Sequence, residues 1–434
     1  MPSIALPYGD GERDFKVPSS WQLTTARPTP APTVANLELA ISEAVQNPWM
    51  QVARLRDRVE PGQRVSIAIT DATRPSPDSL FLNALLHELK NGGVSEKDIT
   101  LVFALGMHRR TTEEEQKEKL GAWFGKLRTV DAHGGDLEAY RALGELTSGA
   151  TQTFPEPVPV ELHEAILDCD VLLATGIVEP HQYAGFSGGR KTVAIGCASA
   201  NTISVLHGVS FLEHSGTRLG RIENNPVHEA LVLGARKARL QFIVNLAMSA
   251  EGEPLRVLAG EPEPTHEELV RSCSEQAWVP VGEEPFDAVV LGIGSPKDAN
   301  LYQASRALTY LAFGPRPPLR EGGWVVIAAP CPEGMGQGAG EQAFLKGMQS
   351  ASNPIDVVAK LRADGFGAGG QRAFMVAKAL THYRGAVLGA SHASTAPSCH
   401  MKGIASLDEI ASVLPAKARV LVVPHGLATL PLQS

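Results

Sequence analysis

"VSIAITDATRPSPDSLFLNALLHELKNGGVSEKDITLVFAL", residues 65–105, decides the fold. VSIAIT (65–70) is a short apolar run rich in β-branched residues and closed by Asp71 and Pro75, the pattern of a buried strand. SLFLNALLHELKNGG (79–93) repeats its leucines at helical spacing and stops in glycine. ITLVFAL (99–105) is a second apolar run. A strand, an amphipathic helix and a strand in this order form a crossover unit, which places the two strands parallel.

The alternation continues outward. TTEEEQKEKLG (111–121) begins with a capping threonine and an acidic first turn and predicts a helix. DVLLATGIV (170–178) and QFIVNLAMS (241–249) predict strands. Upstream, IALPYG, a DGE turn and RDFKVP predict a hairpin, and 37–57 is helical in pattern. CSEQAWVPVGEEPFD (273–287) breaks the pattern and is read as a boundary. Beyond it come AVVLGIG (288–294), a helix from about 301, WVVIAAP (324–330), helices near 341–349 and 371–381, AVLGAS (386–391) and VLVVPHG (420–426). The expectation is an α/β protein of two domains, 1–274 and 275–434, each a largely parallel sheet flanked by helices. The active site is expected in the cleft between the domains.

The 434 residues suffice for such cores at 43% hydrophobic content. A net charge of -8 argues against a nucleic-acid surface. No apolar run is long enough to span a bilayer, and the first residues lack a signal-peptide pattern. Five dispersed cysteines without a C-x-x-C pair read as free thiols in a reducing cytoplasm, not as a zinc site. A cytoplasmic protein with no nucleic-acid or membrane partner is expected.

In open α/β sheets ligands bind beyond the carboxyl ends of the strands. There the sequence concentrates polar residues. Asp71, Thr73 and Arg74 follow the first strand, His108 and Arg109 the next, and Glu179 and His181 the third. Lys297, Tyr302, Gln303 and Arg306 follow AVVLGIG. Each has an ordinary reading taken singly: Asp71 as a turn cap, His207 as a core histidine at a helix end, Tyr302 as part of a helix face. Their conjunction at one end of consecutive strands favours a site.

The stretch HQYAGFSGGRKTVAIG (181–196) resembles a phosphate loop at first sight. The loop motif requires glycine immediately before its lysine, and Arg190 stands there. The dinucleotide fingerprint is also missing: Gly292 and Gly294 are followed by Lys297 where a glycine is required.

DATRP (71–75), ALGMHRRT (104–111), EPHQYAGFSGGRK (179–191), the run TISVLH ending at His207, and NLYQASR (300–306) together resemble the nickel-pincer lactate racemase family. The spacing of His181, Lys191 and His207 carries the resemblance most strongly. It implies that Lys191 carries a sulfur-bearing pyridinium mononucleotide, that His207 completes the coordination of Ni(II), and that His108 and His181 are a pair of acid/bases. Soft sulfur donors with one imidazole suit Ni(II). Arg74 is expected to clamp the substrate carboxylate. Asp71 would orient Arg74 or meet the cofactor ribose. Thr73, Ser187, Gly188, Gly189 and Arg190 are expected to hold the cofactor, and Tyr302, Gln303 and Arg306 to contact substrate. Enzymes that synthesise the cofactor are the implied partners.

The implied chemistry is consistent with these side chains. The α-hydrogen of a 2-hydroxy acid is a poor acid, whereas removing hydride gives a planar 2-oxo acid to which hydride returns on either face. The hydroxyl proton needs a base on each side, and imidazoles titrating near 6.5 suit both roles. Two positions depart from the family pattern. Arg306 stands where it carries a lysine, and GGQRAFMVAK (369–378) replaces a substrate-covering tryptophan with Gln371, Arg372 and Phe374. The substrate expected is therefore lactate or a related short-chain 2-hydroxy acid, with malate or a sugar acid as alternatives. Two other readings stay open: a nucleotide or sugar-phosphate enzyme using Lys191 as a phosphate ligand, and a hydroxy-acid sensor without catalysis.

Overall fold

A computed structural model describes residues 2–434 except 73, 150–152, 250, 251, 368, 392 and 393. The chain divides into two compact units, Ala31–Glu275 and Met1–Pro30 with Gln276–Ser434. Residues 1–30, expected to belong with 31–274, thus pack with the C-terminal part instead. The reason is a strand pairing. β1 (Ser3–Tyr8) and β2 (Gly11–Lys16) form an antiparallel hairpin, and β3 (Gln22–Thr25) pairs parallel with a strand some four hundred residues later.

The unit 31–275 is built on six strands. β4 (Val65–Thr70), β5 (Ile99–Gly106) and β6 (Arg128–His133) run parallel. An antiparallel pair, β7 (Tyr140–Leu146) and β8 (Val158–His163), stands apart from the sheet. β9 (Val171–Val178) returns to the other side of β4, the short β10 (Pro180–His181) and β11 (Gly185–Phe186) pair with each other, and β12 (Leu240–Met248) and the antiparallel edge β13 (Pro254–Gly260) complete the sheet. The order is β13-β12-β9-β4-β5-β6. β4 and β9 are buried almost throughout, as expected where helices cover both faces of a parallel sheet. Ile67, Ile69, Leu101 and Phe103 pack on one face against Phe81, Leu85 and Leu89 of the helix Asp78–Asn91.

The predicted helix over 37–57 is shorter. It runs Leu37–Gln46, and two single 3-10 turns follow. Pro48 explains the stop: its ring drives the preceding residue out of the helical region, and Asn47 sits at φ -126°, ψ 71°.

The other unit repeats the plan. β14 (Trp278–Pro280) pairs with the last strand β20 (Leu430–Leu432). β15 (Phe286–Gly292), β16 (Leu319–Ala328), β17 (Arg384–Leu388), β18 (Lys402–Ile404) and β19 (Arg419–Val423) join β3 in a wholly parallel sheet, ordered β18-β17-β16-β15-β19-β3. Leu6, Phe15, Val17 and Trp21 enter the same core as Val290, Val326 and Val422. Thus the α/β class and the two sheets flanked by helices agree with the expectation. All five cysteines are buried free thiols. Among the described residues no helix is long and apolar enough to cross a membrane.

Candidate active site

In the unit 31–275 the chain winds outward from β4 in both directions, to β5 on one side and β9 on the other. The crevice beyond the carboxyl ends of β4 and β9 is the topological switch point. Asp71 leaves β4 there. Its Oδ2 lies 3.3 Å from His108 Nδ1 and 3.7 Å from Arg74 Nε. The carboxylate is buried while both partners are partly exposed. One anion therefore joins the DATRP turn to the segment after β5. Thr73 lies outside the described residues.

A buried network fixes that turn from below. Lys119 Nζ donates to Asp78 Oδ2 at 2.8 Å, to Thr70 Oγ1 at 3.1 Å and to the Arg74 carbonyl at 2.8 Å. Asp78 Oδ1 accepts from Thr175 Oγ1 of β9 at 2.7 Å, and the Thr175 carbonyl accepts from Thr192 Oγ1 at 2.9 Å. The ends of β4 and β9, the helix Glu113–Leu120 and the segment after Lys191 are thereby tied together. Nothing local in the sequence marks this cluster, because Asp78 and Lys119 are separated by 41 residues.

Beyond β9 the chain makes the β10–β11 ribbon. His181 Nδ1 accepts from the backbone amides of Tyr183 (3.3 Å) and Ala184 (3.1 Å), which places the proton of the neutral ring on Nε2. The Tyr183 ring stands edge-on to His181 at 5.8 Å and to His207 at 5.5 Å. Gly185 has φ 74°, and a Cβ there would collide with the Arg221 carbonyl. Gly188 has φ 133°, and a Cβ would meet the His266 ring at 2.7 Å. The glycines of this loop thus serve close packing and a positive φ.

The other groups of the loop face inward. Ser187 Oγ donates to the Ile177 carbonyl at 2.7 Å and accepts from Glu179 N at 3.0 Å. Gly189 N donates to Asn245 Oδ1 at 3.1 Å. Arg190 is 2% exposed, and its Nη2 lies 2.7 Å from His266 Nδ1, while Nε and Nη1 have no acceptor among the described residues. Burial lowers this guanidinium's pKa to about 10. Lys191, half-buried, lies in the first turn of a helical segment that starts at Gly189 and continues as a π-helix over Thr192–Gly196.

His207 closes the helix Ala200–Leu206. Its Nδ1 donates to the Ile203 carbonyl at 2.8 Å, so the neutral ring keeps the Nε2 lone pair free for a metal. Burial, with the Lys191 charge adding to it, lowers its pKa to about 4. Among the described residues no three His, Cys, Asp or Glu side chains gather into a metal site. A single imidazole with its Nδ1–H held in this way fits a metal whose other ligands a bound group would supply.

In the other unit, Asn300 caps the turn Leu301–Ala304 through Gln303 N at 3.0 Å. The Tyr302 ring packs edge-on to Phe344 and carries the Arg372 guanidinium 4.7 Å from its centre. Arg372 is buried. Gln303 Oε1 is buried without a donor among the described residues. Arg306 opens the helix Arg306–Ala312. Tyr302, Gln303 and Arg306 thus share one turn and its continuation.

Comparison with known proteins agrees with this architecture. The lactate racemase N-terminal domain model matches residues 8–220. A lactate racemase of Thermoanaerobacterium thermosaccharolyticum is 31% identical over 369 residues, 84% of this chain and 82% of that one. A lactate racemase of Lactiplantibacillus plantarum is 27% identical over 315 residues, 72% and 70% of the two chains. The structure of the lactate racemase apoprotein from T. thermosaccharolyticum superposes with a TM-score of 0.85 at 28% identity, covering 99% of this chain and 100% of the other. A Thermotoga maritima protein, 18% identical with a TM-score of 0.67, shares the fold.

Proposed function

This chain belongs to the lactate racemase family, and from that premise we propose that it interconverts the enantiomers of a short-chain 2-hydroxy acid through a 2-oxo acid. The observation that carries the proposal is His207: an imidazole whose Nδ1–H is held by Ile203 and whose Nε2 lone pair is left open, close enough to Lys191 to feel its charge. A nickel-pincer nucleotide borne on Lys191 and ligated by His207 supplies the hydride acceptor when bound. Arg190 Nε and Nη1, buried donors without an acceptor, suit the anionic part of such a group.

The remaining work falls to the chain's own side chains. Arg74 binds the substrate carboxylate, with Asp71 holding its Nε side. His108 takes the hydroxyl proton of one enantiomer and His181 that of the other, and each returns it in the reverse direction. Asp71 orients His108 through Nδ1, leaving Nε2 for substrate. The Tyr183 and Ala184 amides hold His181 in the same sense, through Nδ1. Tyr302, Gln303 and Arg306 are assigned to substrate binding. The buried Arg372 behind Tyr302 brings a second cation to that turn, so dicarboxylates belong in the substrate panel.

The test is chiral analysis of lactate, malate and longer 2-hydroxy acids with protein made alongside the cofactor-synthesis enzymes, together with intact mass and nickel content. Convergence of both enantiomers to one ratio, with a mass adduct lost in Lys191→Ala, is the expected result. An unmodified Lys191 with no interconversion of any acid overturns the proposal, and a thermal shift with nucleotides in that case would support the phosphate-ligand alternative.

A further inference from the structure

Two helices far along the chain reach the loop between β9 and Lys191 from behind. Asn225 Nδ2, at the cap of the helix Pro226–Lys237, donates to the Tyr183 carbonyl at 2.8 Å. His228, one turn on, hydrogen-bonds the Ala184 backbone. His266, in the helix Pro262–Ala277, donates from Nε2 to the Ser187 carbonyl at 2.7 Å. Arg190 Nη2 lies against the same ring, 2.7 Å from Nδ1 and 2.9 Å from Nε2. Asn225, His228 and His266 are all buried, at 0%, 7% and 1% exposure. The loop they hold contributes His181 at one end and Lys191 at the other.

We propose that His228 and His266, with Arg190, form a latch that sets the position of His181 and Lys191 and so acts on the proposed reaction without touching substrate. They are positioning residues, and the inference rests on the function proposed above. The physical argument is that the loop has little regular structure of its own. β10 and β11 are two residues each, and the helical segment that carries Lys191 begins only at Gly189. Its carbonyls would otherwise be free to rotate, and a displacement of about 1 Å costs on the order of 100-fold in a reaction that depends on alignment. Burial, with the nearby Arg190 charge adding to it, keeps both rings neutral, the form in which each donates a single proton to a loop carbonyl. This gives Arg190 Nη2 a role beside the one proposed above for its Nε and Nη1.

The test separates the two nitrogens of His266. Glutamine sets its amide nitrogen near the place of Nε2, and asparagine reaches only the place of Nδ1. His266→Gln should keep the Ser187 carbonyl bonded and retain kcat within about 3-fold. His266→Asn should lose it, with kcat down about 10-fold or more and KM changed less than about 3-fold. Hydrogen exchange of the full chain without cofactor gives an independent readout. Amides of 181–191 should exchange at least about 10-fold faster in His266→Asn and near the wild-type rate in His266→Gln, with the strands 65–70 and 99–106 unchanged. If the wild-type protein racemises nothing, the exchange measurement still decides the latch. Equal exchange in all three proteins, or Asn and Gln variants equal in kcat, overturns it.

Discussion

Asp71 meets two side chains of the proposed reaction, Arg74 and His108, with one carboxylate. The Nδ1 contact at 3.3 Å holds the His108 ring by one nitrogen. His181 reaches the same state by another route, through two backbone amides. Two imidazoles each held through Nδ1, on different loops, predict an asymmetry that a single base would not give. With His108→Ala the 2-oxo acid should appear on acid quench from one enantiomer only, and with His181→Ala from the other. Racemisation should fall by roughly 100-fold or more in each. Equal yields from both enantiomers in either variant would remove that residue from the pair. The identities of these side chains were legible in the sequence, since they stand directly after apolar runs. Their orientation was not, because it depends on Asp71 in one case and on the curl of the β10–β11 ribbon in the other. Ser187 and Gly189 illustrate the opposite problem. A glycine- and serine-rich stretch reads as phosphate-binding, yet here the Ser187 hydroxyl and the Gly189 amide hold the loop to Ile177 and Asn245.

The elements that carry these residues are joined by contacts that no periodicity reveals. Lys119 ends a helix whose acidic start and capping box were plain in TTEEEQKEKLG. It reads as one more exposed lysine there, but it is buried against Asp78 and the Arg74 carbonyl. Removing one partner of such a pair leaves a buried charge uncompensated, which costs about 3–5 kcal/mol. Lys119→Met should therefore lower the unfolding free energy by that order in a urea titration. It should also raise KM for substrate, since the turn bearing Arg74 loses its anchor. A variant as stable as wild type would show that Asp78 is satisfied by Thr70 and Thr175 alone. The histidines behind the 181–191 loop make a second element-scale prediction. Burial and the Arg190 charge lower the His228 pKa to about 3, against about 6.5 in an unfolded chain. Between those values the unfolded chain binds a proton that the folded chain refuses. The stability this group contributes is thus fully present above about pH 6.5 and declines as pH falls toward 3, by up to about 1.4 kcal/mol per pH unit. The stability of His228→Gln relative to wild type should improve by that slope between pH 6.5 and 4.5. Parallel stability curves would refute the assignment.

At the scale of the molecule, the two units are cut from the chain in an order that strand patterns alone do not disclose. Each apolar run could be assigned as a strand, but pairing depends on which edge a distant run covers. QLTT (22–25) is fully exposed in pattern and too short to signal a sheet strand, yet it pairs with β19 through Gln22 and Arg419 to Thr25 and Val422. The hairpin before it adds Leu6, Phe15, Val17 and Trp21 to the core of the same unit. Four side chains of this kind contribute roughly 1.5–3 kcal/mol each on burial. Their sum is comparable with the whole stability of an ordinary domain, about 5–15 kcal/mol. Deleting residues 1–26 should therefore unfold the unit containing 276–434 and leave 31–275 folded, although the deletion directly precedes the latter in sequence. Hydrogen exchange resolves the two outcomes. Amides of 286–292, 324–328 and 419–423 should lose protection in the truncated chain, while those of 65–70, 99–106 and 171–178 retain it. Loss confined to the second set would mean that the first thirty residues support the unit they precede, contrary to the pairing of β3 with β19.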